Sequence, residues 1–407
     1  MSGLDVPAVR RQFPIFSRVT DPPLHYLDNG ATAQMPSAVL DAIIDHETTR
    51  RANVLRGVHR LAEAATEAYE GARAELARYV GAAEPSEVVF TNGTTSAINL
   101  VAHGFGAGLA AGDEVVVSLL EHHSNLVPWQ MLRDRRGVVL KALPVTGDGR
   151  IELAALERVV TGRTKLIAVT HVSNVTGAVT DVARVVEAAR SVGARVLLDG
   201  AQAAPHGAFD VAPLGVDFYA FSGHKMFGPN GIGVLWGRRA LLDAMPPLMG
   251  GGEMIRTVTL EQTTFADPPR RFEAGTPPIA QAVGLGAAAR WVRALPVAAV
   301  HAHLTRLTGR LLDGLGALRR VRVVGPMGLQ ERFPVVSFHV AGIHPHDVCQ
   351  VLDGHGVALR GGHHCAQPLM DHFDLTGTTR ATFAAYNDDA DVDAFFAGLD
   401  DALGRFR

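Results

Sequence analysis

The order of apolar runs predicts an α/β protein: a large domain built on a mostly parallel sheet, followed by a smaller α+β domain at the carboxyl end. Three observations predict it. Short apolar strands alternate with helical periodicity over the first two thirds of the chain, the pattern of βαβ units with helices on both faces of a sheet. From about Trp291 the pattern changes to a helix, strands and a closing helix. At 407 residues the chain exceeds what one core usually supports, so two unequal domains are expected. The divisions are placed at 1–20, an N-terminal segment packing on the small domain, at 21–290 for the large domain and at 291–407 for the small one.

Composition narrows the function. With 47% hydrophobic and 19% charged residues the chain is ordinary globular protein. A formal charge of −3 and scattered Lys and Arg leave no basic stripe, which argues against nucleic acid as a partner. No run approaches the ~18 uncharged apolar residues of a membrane span, and Asp5 and Arg10 have no apolar stretch behind them of the kind a signal peptide carries. A cytoplasmic protein without a membrane partner is expected. Only Cys349 and Cys365 are present, so each is judged as a core residue or a nucleophile and not as part of a disulfide framework.

The first 20 residues or so read as a short helix and a Pro-rich connection. Leu27-Asp28-Asn29-Gly30-Ala31 leaves a strand in a turn that can bring backbone near a substrate. Helical periodicity then continues to Tyr79, interrupted at Asn53–His59. Val88–Thr91 is a strand, and Asn92-Gly93-Thr94-Thr95-Ser96 follows it into a helix from Ala97 to His103. Hydroxyls and free N–H groups at such a helix start suit an anion, with plain N-capping as the simpler alternative. Gly104–Gly112 is glycine-rich but follows a helix and lacks the GxGxxG spacing, so no dinucleotide site is expected.

Glu114–Ser118 is the next strand and ends in Glu121-His122-His123-Ser124-Asn125. An imidazole there can stack on a flat ring or move a proton near neutral pH. A metal pair is the alternative, but beyond Glu121 no Cys or carboxylate lies at ligand spacing, so no metal is expected. Lys165–His171 is a strand that continues into Val172-Ser173-Asn174. Ala194–Leu198 is another and ends in Asp199-Gly200-Ala201-Gln202. Val216–Phe221 is the last, followed by Ser222-Gly223-His224-Lys225 and a Gly- and Pro-rich turn to Gly233. Open α/β sheets place ligands at the carboxyl ends of their strands. A partly desolvated lysine held there can form a Schiff base with a carbonyl cofactor, and Asp199 at the same edge suits the acid that keeps a pyridine nitrogen protonated. A surface lysine and a simple ion pair are the plain alternatives.

Read together, Asp199 to Gly233 resembles the class V branch of fold-type I pyridoxal 5'-phosphate enzymes, nearest to the cysteine desulfurases of the SUF type, which are related to selenocysteine lyases. The resemblance covers nearly the whole chain. It implies a fold-type I PLP-dependent transferase in which Lys225 carries the cofactor and Asp199 faces the ring nitrogen. It also implies that Thr94 and Thr95 hold the phosphate with Ser222 and His224 as a second set of contacts. His122 would lie over the ring, Asn174 would contact the ring hydroxyl and border the substrate, and Gln202 would complete the site. The Leu27–Ala31 turn would line the substrate entrance. Thr276, in Phe272-Glu273-Ala274-Gly275-Thr276-Pro277, would reach the cofactor phosphate of a neighbouring subunit, making a homodimer the functional unit. Relatives often have His where Leu55 stands, which removes a polar role there and leaves Arg56 and His59 as candidates for the rim.

In the smaller domain Val335–Val340 alternates like a half-buried strand, His344 and His346 flank Pro345 in a solvated turn, and Cys349 falls in the helical pattern Pro345–Leu352 as a core residue. Arg360-Gly361-Gly362-His363-His364-Cys365 sets a cysteine on a Gly-rich loop beside positive charge that favours a thiolate. A structural cysteine and a His-His-Cys metal site are the alternatives, the latter weak because three consecutive residues rarely point at one ion. This segment is the one most similar to SUF-type desulfurases and implies that Cys365 forms a persulfide. Arg380 matches the arginine that clamps a substrate carboxylate, with Arg360 in support. The expected reaction is L-cysteine to L-alanine. In it Lys225 moves the Cα proton, His122 acts as proton donor or acceptor, and Cys365 passes sulfur to a carrier protein of the SUF system for iron–sulfur cluster assembly. By the same resemblance, activity is expected to be low without an activating partner. L-selenocysteine lyase chemistry, a PLP-dependent epimerase or transaminase, and a cofactor-bearing docking module are the alternatives.

Overall fold

The computed structural model describes residues 3–406. After a two-residue strand β1 (His25–Tyr26), the large domain contributes seven strands to one sheet. They are β2 (Val88–Thr91), β3 (Glu114–Ser118), β4 (Val139–Leu143), β5 (Thr164–Thr170), β6 (Arg195–Asp199), β7 (Phe218–Ser222) and β8 (Gly233–Gly237), in the order β2-β8-β7-β6-β5-β3-β4. From β4 to β7 all neighbours pair in parallel, and β8 runs antiparallel between β7 and β2. Runs such as Glu-Val-Val-Val-Ser and Phe-Tyr-Ala-Phe-Ser are β-branched or aromatic and buried along their whole length, as strands covered by helices on both faces must be. Because β8 reverses twice, β2 points the same way as β7, and β2, β3, β5, β6 and β7 end at one edge.

Local signals fix the helices that cover the sheet. Asp181 caps Val182–Val192 by accepting the N–H of Arg184 at 3.2 Å, and Gly193 ends that helix in the left-handed region. The helices Arg60–Val80 and Ile279–Ala294 lie so close that a Cβ at Gly286 would stand 2.8 Å from Ala72 Cα. Ile279–Ala294 runs straight through the expected division at 290, and the chain leaves the large domain only at the Leu295–Pro296 turn. Its apolar period does not break there because Trp291 still packs into the aromatic cluster, 5.3 Å from Phe13 and 4.9 Å from Phe227 between ring centres.

An exposed hairpin of β9 (Ile255–Val258) and β10 (Thr263–Phe265) precedes the smaller domain. That domain holds the helix Val297–Gly316, β11 (Val321–Val324), β12 (Val335–Val340), β13 (Val357–Ala358), β14 (Arg360–Gly362), β15 (Thr378–Thr382) and the closing helix Asp389–Arg405. Its antiparallel sheet has the order β11-β12-β15-β14. β12 is therefore an inner strand. Contrary to the half-buried alternation expected, every residue in it but His339 is buried, Ser337 included. His344 and His346 are exposed as expected, but they open a helix: His344 accepts the N–H of His346 at 3.2 Å and caps Pro345–Asp353. Near the N-terminus Arg10 donates to the carbonyl of Tyr386 at 3.1 Å and Phe13 packs 6.0 Å from Phe227, while β1, beyond residue 20, pairs with β13. Among the described residues no single helix is long and apolar enough to cross a membrane; only Ile279–Ala294 and Val297–Gly316 together, bent by 84°, pass that test.

Candidate active site

The shared strand edge opens into a hollow of about 760 Å³ between the two domains. At one end lies the start of the helix Thr94–Gly104, entered from β2 through Gly93 at φ 138°. The N–H of Thr94 donates to Ser222 Oγ at 2.8 Å, and the Thr94 and Ser222 hydroxyls lie 2.7 Å apart. Thr95 and Ser124 share a hydroxyl contact of 2.7 Å beside them. Hydroxyls and a helix N-terminus converge there, which suits a phosphate. His224 lines the same hollow, its Nδ1 3.2 Å from Thr32 Oγ1, and burial, helped by the charge of Lys225, pushes its pKa down to about 4.

Lys225 closes the short turn Gly223–Lys225 directly after β7. Burial pushes its amine down to about 8 against the opposing pull of Asp199, so near pH 7 about a tenth is the nucleophilic free base, far more than for an ordinary lysine. Asp199, the last residue of β6, accepts the N–H of Ala201 at 2.9 Å, and burial holds its carboxyl above the usual range. Gln202 donates to the carbonyl of Gly30 at 2.9 Å and so fastens the Leu27–Ala31 turn to the hollow.

His122 reaches the hollow from the exit of β3. Its Nδ1 accepts the N–H of Ser124 at 3.0 Å, which leaves its hydrogen on Nε2, and burial, then the charge of Lys225, push its pKa down to about 3. The neighbouring Glu121 is buried and accepts from Ser118 Oγ at 2.5 Å, Asn125 Nδ2 at 2.6 Å and the N–H of Thr170 at 3.0 Å. Those three contacts hold the His122 segment against the end of β5.

Arg380 on β15 is buried and pairs with Asp28 at 3.2 Å, while one terminal nitrogen donates to the carbonyl of Asn174 at 2.9 Å. Its Nε is buried without a partner, a donor that an incoming carboxylate could satisfy. Arg360 stands opposite it in register on β14 and is exposed. Asn174 donates through Nδ2 to the carbonyl of His364 at 2.8 Å. Cys365 and His364 adopt φ of 58° and 51°, a region that side-chain-bearing residues rarely occupy. The loop is held further by the N–H of His123, which donates to the carbonyl of Cys365 at 2.7 Å, and by His364 Nε2, 3.0 Å from Thr378 Oγ1.

Twelve of the thirteen expected residues thus face one hollow. Thr276 does not. It lines a neighbouring hollow of about 1140 Å³ with Met249 and Phe90, which meets the first at Thr95, beside an anchor in which Arg73 grips Glu273 at 2.7 and 2.8 Å. Arg56 and His59 also lie outside the site, the first paired with Glu253 at 3.0 Å and the second capping the helix Arg60–Val80. Cys349 is half-buried, and burial pushes its thiol up to about 12, which fits a packing role. Sequence reasoning gave no part to Ser124, His364 or Glu121. Each sits beside a quoted residue, but the contacts that give it a role come from distant strands. Among the described residues no group of three or more His, Cys, Asp or Glu side chains could hold a metal.

The residues fit pyridoxal phosphate by chemistry: an amine for its aldehyde, a buried acid for its ring nitrogen, and a hydroxyl-lined helix start for its phosphate. The Aminotransferase class-V family matches residues 25–395. The chain is 49% identical over 414 residues to a probable cysteine desulfurase 2 of Mycobacterium leprae, covering 100% of this chain and 98% of the relative. Its fold matches the crystal structure of the cysteine desulfurase CsdA, in S-sulfonic acid form, from Escherichia coli with TM-score 0.92 at 38% identity over 100% of both chains. The apo cysteine desulfurase from Thermococcus onnurineus NA1 matches with TM-score 0.93 at 38% identity over 99% of each. The chain belongs to the class-V aminotransferase family of fold-type I, pyridoxal-phosphate-dependent enzymes, within its cysteine desulfurases.

Proposed function

We propose that the chain converts L-cysteine to L-alanine and receives the sulfur as a persulfide on Cys365. The observation that carries this reading is that Cys365, from the small domain, and Lys225, from the large one, line the same hollow. Bound pyridoxal phosphate supplies an electron sink for the negative charge that forms at the substrate Cα. Asp199 keeps the ring nitrogen protonated, and the hydroxyls of Thr94, Thr95 and Ser222 hold the phosphate. Arg380, with Arg360 at the rim, receives the substrate carboxylate, and the Lys225 amine takes and returns the Cα proton.

The Cys365 thiolate attacks the substrate sulfur. An S–S bond forms as the Cβ–S bond breaks, the electron pair of that bond stays with the carbon skeleton, and one proton added at Cβ completes alanine. Sulfur is thereby oxidised and carbon reduced with no outside oxidant. His122, neutral with its hydrogen on Nε2, donates a hydrogen bond in the hollow.

The persulfide then passes its sulfur to a carrier protein of the SUF type, in the cytoplasm. A homodimer is the working unit in this reading, because Thr276 does not line the chain's own site but an adjoining hollow from which it can serve a second copy. The test uses purified protein given L-cysteine, with alanine and sulfide measured for the wild type and Cys365→Ala. Retained yellow colour with alanine formation lost in the variant is expected. Unchanged alanine formation by Cys365→Ala overturns the role of Cys365 and leaves the family assignment standing.

A further inference from the structure

We propose that Ser337 is a positioning residue for the Cys365 loop, acting through the large-domain segment Ser173–Gly177. The proposal rests on the reading of Cys365 as the sulfur-accepting nucleophile. The segment follows the end of β5, and four of its successive carbonyls are met by donors from the small domain. Arg380 Nη1 donates to Asn174 O at 2.9 Å, Ser337 Oγ to Val175 O at 2.6 Å, Arg332 Nη2 to Thr176 O at 3.3 Å, and the N–H of Phe333 to Gly177 O at 2.9 Å. From the same segment the Asn174 side chain donates to the carbonyl of His364, the residue before Cys365, at 2.8 Å.

The contacts form a closed ring across the domain boundary, from Ser337 to Val175 and Asn174, to His364 and Cys365, and back through the small-domain sheet. Ser337 on β12 stands directly opposite Arg380 on β15, so two paired sheet positions grip neighbouring carbonyls of one segment. Both Ser337 and Val175 are 0% exposed. The pair is sealed from bulk solvent, so removal of the hydroxyl takes from a buried carbonyl its hydrogen-bond donor. The loop needs such support, because two consecutive side-chain-bearing residues at positive φ persist only where their surroundings over-determine them. Loss of the Ser337 hydroxyl lets the Asn174 segment shift, releases the His364 carbonyl and misaims the Cys365 sulfur. It does not disturb Lys225, which is fixed by β7 and its turn.

The experiment compares Ser337→Ala, Ser337→Thr and Cys365→Ala holoenzymes with the wild type. For Ser337→Ala the cofactor absorbance is expected to be retained, and exchange of the substrate Cα hydrogen with D2O to stay near wild type. KM should hold within about twofold, while kcat for alanine formation falls about tenfold. Ser337→Thr keeps the hydroxyl and recovers most of that loss. If Ser337→Ala does not accumulate as holoenzyme, Ser337→Cys, similar in size with a weaker donor, must show the same selective fall in kcat. Unchanged kcat in the Ala or Cys variant overturns the proposal, and so does a parallel loss of Cα exchange and alanine formation. Normal Ser337→Ala beside inactive Cys365→Ala overturns only the positioning role, whereas alanine formation by Cys365→Ala overturns the nucleophile assignment beneath it.

Discussion

Lys225 and Cys365 face one hollow from two domains, and the backbone around each is held in a different way. Lys225 follows β7, a fully buried strand pinned between β6 and β8. Its turn inherits the stiffness of the sheet, as do Asp199 at the end of β6 and Thr94 after β2. Cys365 lies in a loop at positive φ whose carbonyl contacts come from the other domain, Asn174 for His364 and His123 for Cys365 itself. The cofactor side is placed by strand termini, and the sulfur side is suspended from hydrogen bonds across a boundary. The difference matches the chemistry: the amine must hold still against a ring, whereas the sulfur must reach substrate and then give up what it has taken.

The comparison can be broken most directly at its two named residues. Lys225→Ala is expected to bleach the protein and to lower alanine formation from L-cysteine by about 10⁴-fold, the upper range for loss of an acid–base group. Cys365→Ala is expected to stop the same assay without bleaching. An absorbance scan beside the alanine assay separates the two, and bleaching by Cys365→Ala would mean that the loop also holds the cofactor.

The rigid side has its own anchor. Glu273 accepts from Arg73 twice, from Tyr69 at 2.8 Å and from the N–H of Phe90 at 2.8 Å, with the Arg73 and Glu273 side chains 1% and 8% exposed. Glu273→Gln leaves the buried guanidinium with only the half-exposed Glu70, at 2.9 Å, as a charged partner, so a loss at the lower end of the range for a broken buried pair, about 3 kcal/mol, is expected. Thermal unfolding should show it as a clear drop in Tm. An unmoved Tm would place the stiffness elsewhere, in the strands alone.

The state of Lys225 gives a pH test. Burial lowers its pKa from 10.5 to about 8, and only the neutral amine attacks an aldehyde. Recombination of cofactor-free protein with pyridoxal phosphate should therefore quicken as pH rises through about 8 and then level off. A rate that keeps climbing beyond pH ~10, where an ordinary lysine ionises, would show that the amine is solvated and the turn less rigid than its strand implies.

Much of the first region was legible in the chain. Val88–Thr91 and Glu114–Ser118 fall at the expected residues, because strands buried on both faces must be written in apolar, β-branched letters. Asp199 and Lys225 stand where such strands stop. The suspended side was legible only in its letters. His-His-Cys marks the nucleophile, but no glycine announces the positive φ at His364 and Cys365, since distant contacts impose it. Asn174 reaches His364 over 190 residues of chain, a separation no local pattern reports. Val335–Val340 reads as a half-buried strand, yet Ser337 within it is fully buried, its hydroxyl donating to the carbonyl of Val175 in the other domain. The expected division at 290 falls inside the helix Ile279–Ala294, and a helix that packs along its whole length carries no signal at any one position.

Leu55 offers the smallest and sharpest contrast with Cys365. It too sits at positive φ, 75°, yet it lies outside the hollow and is half-buried against the core, its N–H held by Thr66 Oγ1 at 2.9 Å. The left-handed region costs most residues about 1–2 kcal/mol, and Asn and His tolerate it better than most. Leu55→His and Leu55→Asn give up roughly 1 kcal/mol of apolar burial and recover a similar amount of backbone strain, so both should unfold close to wild type. Leu55→Val keeps an apolar side chain but adds a β-branch where it is least tolerated, and should be the least stable of the three by about 1–2 kcal/mol. Turnover should be unchanged in all of them. Tm values that instead follow hydrophobicity, with Val best, would show that packing and not backbone geometry decides this position. The strain at Cys365 would then be the only positive-φ feature of the two that the surrounding hydrogen bonds actively impose.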